Sequence, residues 1–159
     1  MLSNVDYVMR GQRVKNLQPE CIQHVASRAV SILNINKKTI KRMDRFIDEL
    51  YHKFGIQVDV IDDKDWLGFA DALCDPSQFT IALPNKLYMR LVKAKDTNSL
   101  FIFFHELGHL LLGHKTLLHH ATTIPNKFED AEWQADIFSE EIMKKIGRYN
   151  LKQIEFDFE

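Results

Sequence analysis

Apolar residues recur at Ile22, Val25, Ala26, Ala29, Val30 and Leu33, three and four positions apart. That is the period of one helix face, and Pro19 and Glu20 just ahead of it suit a first helical turn. Residues 1–15 carry no such period and are expected as a lead-in. Asn36 is placed to cap a second helix reaching about Phe54, with Ile40, Met43, Ile47, Leu50 and Tyr51 as its buried stripe and Gly55 as its stop. Residues 56–61 (IQVDVI) alternate apolar and polar and predict a strand. Residues 78–83 (QFTIAL) predict another, closed by Pro84 and Asn85. That second strand is either an edge on which an extended peptide pairs or an ordinary member of the sheet. Between them, residues 62–75 are acidic, aromatic and irregular, and the pattern assigns them no element.

Residues 86–95 predict a short helix. Thr97, Asn98 or Ser99 can cap the next, which ends near Gly113, and a polar loop follows over 115–126. The last helix spans about 128–146, with Ala131, Ala135, Phe138, Ile142 and Ile146 as its core stripe. Gly147 stands where a left-handed stop is favoured. Helices, then strands, then helices make one α+β domain over residues 1–159 with a small, mostly antiparallel sheet. A tail over 148–159 ends in IEFDFE, whose alternation suits pairing with a sheet edge, a partner's groove, or a disordered end.

Composition narrows the function. Apolar residues make up 45% and charged residues 27% of the 159, and the net charge is −1, so no basic patch points to nucleic acid. The densest basic run, Lys37, Lys38, Lys41, Arg42 and Arg45, is interleaved with Asp44, Asp48 and Glu49 and reads as a solvated helix face. Cys21 and Cys74 lie far apart with no metal or redox spacing, as expected of two reduced thiols in a cytoplasmic protein. The first residues lack the apolar core of a signal peptide. The most apolar stretch, 100–112, is too short and too interrupted to span a membrane.

The interruption carries the chemistry. His105-Glu106-Leu107-Gly108-His109 is HExxH, and residues four apart on a helix share a face. Both imidazoles can then reach one Zn²⁺, with Glu106 beside the metal to take a proton from its water. A pair of surface histidines is the bland alternative. Against it, Phe101, Ile102, Phe103, Phe104, Leu107, Leu110, Leu111 and Leu112 make this helix apolar nearly all round, hence buried. Gly108 inside the helix either lets another backbone pack close beside the metal or is merely tolerated.

Two histidines leave a third protein ligand to find. A histidine ten residues after His105 would serve, but that position is Lys115, and His114 is one residue early. The other source is a carboxylate on a following helix. Glu132-Trp133-Gln134-Ala135-Asp136 reads ExxxD, again one helical turn, so Glu132 can bind metal while Asp136 takes a hydrogen bond from a ligand imidazole, His105 by preference. The competing reading is a solvated acidic face, since Glu129, Asp130, Glu140 and Glu141 lie nearby. His114, His119, His120, Tyr88 and Tyr149 are second-rank candidates to steady an oxyanion.

Residues 103–114 (FFHELGHLLLGH) and 132–143 (EWQADIFSEEIM) resemble the two motifs of the ImmA/IrrE family of metallo-endopeptidases, and residues 18–33 resemble its leading helix. The resemblance implies a zincin-like fold, zinc on His105, His109 and Glu132, Glu106 as base and Asp136 behind a ligand. Ser139 stands where that family usually has alanine. The resemblance also implies a protease acting on helix-turn-helix repressors in mobile elements or stress responses. No such segment is visible here, so the regulator would be encoded separately, with no direct binding of nucleic acid. Two other readings are a zinc-containing module that masks a repressor without cutting it, and the toxin of a toxin–antitoxin pair.

Overall fold

The computed structural model describes residues 7–115 and 123–148. His119, His120, Tyr149 and the alternating tail lie outside these residues. The first helix, α1 (Pro19–Ile32), has Pro19 in its first turn, where the missing N–H costs nothing. The expected single helix over 36–54 is two, α2 (Lys37–Lys41) and α3 (Met43–Phe54). Asn36 and Thr39 form a reciprocal cap on α2, and Arg42, at φ −137° and ψ 60°, breaks the helical path. That break re-aims the stripe. Phe46 is buried, while Tyr51, expected in the core, is 56% exposed. Arg42 pairs with Asp44 and Arg45 with Glu49 on the solvent side, as a solvated face requires.

The strands are β1 (Gln57–Ile61), β2 (Leu73–Asp75) and β3 (Thr80–Pro84), in the order β1-β3-β2. The sheet is mixed, not mostly antiparallel. β1 runs parallel to β3 from Gln57 opposite Thr80 to Ile61 opposite Pro84, and only β2 is antiparallel to β3. The unassigned stretch 62–75 explains this, because it holds β2 and reverses the chain before β3. A tight turn joins β2 to β3, with the Asp75 side chain accepting from the Ser77 N–H and Phe79 in the left-handed region at φ 49°. β3, the candidate free edge, is therefore the central strand. The edges are β1 and β2.

Residues 85–94 form α4 (Asn85–Met89) and one π-helical turn, Arg90–Ala94. The next helix, α5 (Thr97–Leu111), is capped by Asp96, one residue ahead of the three candidates, whose side chain accepts from the Ser99 N–H at 3.0 Å. The last, α6 (Ala131–Lys145), is capped by Asp130 and followed by Gly147 at φ 72°. All five residues of its expected stripe are buried. α6 packs against both α5 and α1, and α5 also meets β2. Among the described residues no helix is long and apolar enough to cross a membrane.

Two contacts fix the register of α5 against α6. A Cβ on Gly108 would stand 2.9 Å from Cδ1 of Phe138, so only glycine lets the helices approach this closely. The Ser139 hydroxyl, fully buried, donates to the Phe101 carbonyl at 2.7 Å. The gain from Gly108 is a side-chain contact with Phe138, rather than the passage of another backbone.

Candidate metal centre

α5 presents His105 and His109 on one face, and α6 brings Glu132 across to them. Nε2 of His105 lies 3.1 Å from Nε2 of His109 and 2.8 Å from Oε2 of Glu132. Nε2 of His109 lies 3.3 Å from Oε1 of Glu132. One donor atom from each residue falls within 4.8 Å of the others. Ligands at 2.0–2.1 Å from a tetrahedral zinc stand roughly 3.3 Å apart, close to what these three atoms show. Two nitrogens and a carboxylate oxygen at that separation fit a zinc-sized ion, with space toward the cleft for a further ligand.

Asp136 sits behind His105, one carboxylate oxygen 2.7 Å from Nδ1 and the other 2.7 Å from an Arg10 guanidinium nitrogen. Burial alone would favour a neutral His105. The hydrogen bonds to Asp136 and Glu132 outweigh it and raise its pKa to about 9. The hydrogen bonds from His105 and His109 hold Glu132 well below the ordinary carboxylate range. Glu106 is 8% exposed, and burial pushes its pKa up, with the two histidines pulling the other way. A divalent cation among these groups would bring both rings to their neutral, ligating form.

His105, Glu106, His109, Glu132 and Asp136 line one cavity of about 790 Å³. Residues 70–74, running into β2, form part of the facing wall. The solvated-face reading of the acidic residues fails for Glu132 and Asp136, which converge on His105. No family profile, curated protein or solved structure matches the chain.

The second-rank candidates sit elsewhere or are engaged. Tyr88 packs against the core and does not line the cavity. His114 does line it, but its ring nitrogens face His109 Nδ1 at 2.8 Å and Gln134 Oε1 at 2.7 Å, so neither is spare for an oxyanion. Burial pushes its pKa down to about 4.

The sequence pattern also missed the strap over α6. Asp130, fully buried, accepts from the Tyr7 hydroxyl, the Arg10 and Gly11 N–H groups and the Glu132 N–H. Arg13 bridges to Asp130 through the backbone and pairs with Glu129. Residues 7–15, assigned no element above, are thus tied along the start of α6. A Cβ on Gly11 would lie 2.5 Å from Cγ of Glu132, so the strap passes directly over the carboxylate candidate.

Proposed function

We propose that this protein is a zinc-dependent endopeptidase with a zincin-like helix pair, acting in the cytoplasm on a separately encoded transcriptional repressor or similar regulator. The observation that carries the reading is the convergence of His105, His109 and Glu132 beside a buried Glu106 at the floor of an open cleft. His105, His109 and Glu132 would hold the ion. Zinc bound there supplies a Lewis acid that polarises a carbonyl and acidifies water.

Glu106 handles the proton. It accepts one from the attacking water as the oxygen bonds to the carbonyl carbon, and gives it to the amine as the C–N bond breaks. A carboxyl raised by burial is suited to both steps, because its affinity for a proton lies nearer neutrality. β2 supports an extended substrate, since its outer edge borders the cavity and backbone pairing there would lay a peptide across Glu106. Leu67 and Phe69, in the turn that Trp66 closes on the Ala70 carbonyl just ahead of β2, are 80% and 74% exposed.

The choice of a repressor rests on the resemblance of the two motif helices to ImmA/IrrE metallo-endopeptidases. The test is incubation with any helix-turn-helix regulator found encoded beside this protein, in zinc, in chelator, and in chelator followed by zinc. Fragments in the first and third samples alone are expected. A regulator left whole in all three sinks the reading, and one released from DNA uncut favours masking instead.

A further inference from the structure

Gln134 is fully buried in α6, and its carboxamide is engaged on both ends. Its Nε2 lies 2.6 Å from the Phe128 carbonyl and 2.8 Å from the Lys15 carbonyl. Carbonyl oxygens only accept, so these contacts use both amide protons and fix which end of the group faces His114. That end is Oε1, 2.7 Å from His114 Nε2. An amide oxygen has no proton to give, so a neutral His114 carries its own on Nε2 and leaves Nδ1 bare.

Nδ1 of His114 lies 2.8 Å from Nδ1 of His109. Two bare nitrogens repel at that distance, so His109 supplies the proton and holds it on Nδ1. Its remaining lone pair is on Nε2, the atom 3.1 Å from His105 Nε2 and 3.3 Å from Glu132. On the other ring, Asp136 accepts from His105 Nδ1, so the neutral, ligating form of that ring likewise has its lone pair on Nε2.

We propose that Gln134, acting through His114, is a positioning residue that fixes the tautomer of His109 and so presents its Nε2 to the ion. The inference rests on the zinc reading of the site. It assigns the two histidines different supports: a carboxylate for His105, and a neutral amide–imidazole relay for His109. The neutral relay adds no charge to a site that already holds Glu106, Glu132 and Asp136. Metal-ligating histidines are typically oriented this way, and loss of such a partner typically costs about 10–100-fold in metal affinity.

Two measurements test it, neither of which uses cleavage. Long-range ¹H–¹⁵N spectra of the chelator-treated, ¹⁵N-histidine-labelled protein should show His109 protonated on Nδ1. In His114→Ala that state should lose its dominance, and zinc affinity by chelator competition should fall about 10–100-fold. His114→Asn keeps an acceptor near the lost Nδ1 and should recover most of both. Gln134→Leu should shift the His114 tautomer; if it folds poorly, the two His114 variants still decide. A parent protein with His109 protonated on Nε2, or a His114→Ala variant with parental affinity, overturns the proposal. Zinc held through an Nδ1-protonated His109 in a protein that cuts nothing would leave the relay standing and sink the endopeptidase reading.

Discussion

Asp136 backs His105, one of its oxygens 2.7 Å from the ring's Nδ1 while the other is paired with Arg10. The carboxylate therefore fixes both the tautomer and the direction of the ring, and Arg10 fixes the carboxylate. Asp136→Ala removes the partner of Nδ1 without touching any of the three donor atoms. Zinc affinity should fall by about 10–100-fold, measured by competition with a chromophoric chelator. Unchanged affinity would mean that His105 is oriented by packing alone.

Stability of the chelator-treated protein should depend on pH in a defined sense. The His105 pKa is raised from 6.5 to about 9, so its contribution is complete below about pH 6.5 and is lost as pH rises through 9. Glu132 is held below its ordinary 4.5, so its contribution is present above that value and lost as pH falls. The two overlap between about pH 5 and 6.5. The Tm at pH 9 should lie on the order of 5 °C below that at pH 6, and saturating zinc should remove the alkaline fall. Equal Tm values at both pH values without zinc would show that His105 is not held charged between the carboxylates.

Much of the site is legible because each half is local. HExxH and ExxxD each describe one turn of helix, so the spacing alone places two residues on one face. What spacing does not contain is the register between the helices, set by the Gly108 approach to Phe138 and the Ser139 hydroxyl on Phe101. Asp130 reads as one more acid in an acidic run, because the donors that bury it include Tyr7, Arg10 and Gly11, some 120 residues away. The sheet fails for a related reason. Alternation in residues 56–61 and 78–83 predicts strands but says nothing about their relative direction, which the short hairpin hidden in an irregular stretch decides.

Gly108 tests that register. Alanine there gains about 1 kcal/mol of helix propensity but places a methyl 2.9–3.2 Å from Cδ1, Cγ and Cβ of Phe138. Because Cβ is among the contacts, turning the ring does not relieve the clash. Gly108→Ala should lose a net 1–3 kcal/mol or so of stability in urea unfolding. A stabilised variant would show that the helices can separate freely.

Glu106→Gln keeps the shape of the side chain and removes its proton chemistry. Zinc should remain at one ion per chain by metal analysis, while cleavage of the regulator falls by about 10²–10⁴. Loss of zinc together with activity would mean that Glu106 holds the ion, and parental cleavage would remove it from the reaction.

The strap offers the sharpest separation of scaffold from ligand. Gly11 touches no candidate donor atom, yet a methyl there would meet Cγ of Glu132 at 2.5 Å, with the Glu132 nitrogen and an Asp130 oxygen at 3.2 Å. Either the strap lifts, breaking the Gly11 bond to Asp130, or the Glu132 side chain turns away from the histidines. Both outcomes move the carboxylate that completes the triangle. Gly11→Ala should therefore weaken zinc binding by about 10-fold or more while leaving the helical circular dichroism unchanged. Arg10→Ala, which spares that close approach and removes the exposed ion pair to Asp136 together with a side-chain hydrogen bond to Tyr7, should cost less. If Gly11→Ala binds zinc as the parent does, the strap merely covers α6 and has no part in aiming Glu132.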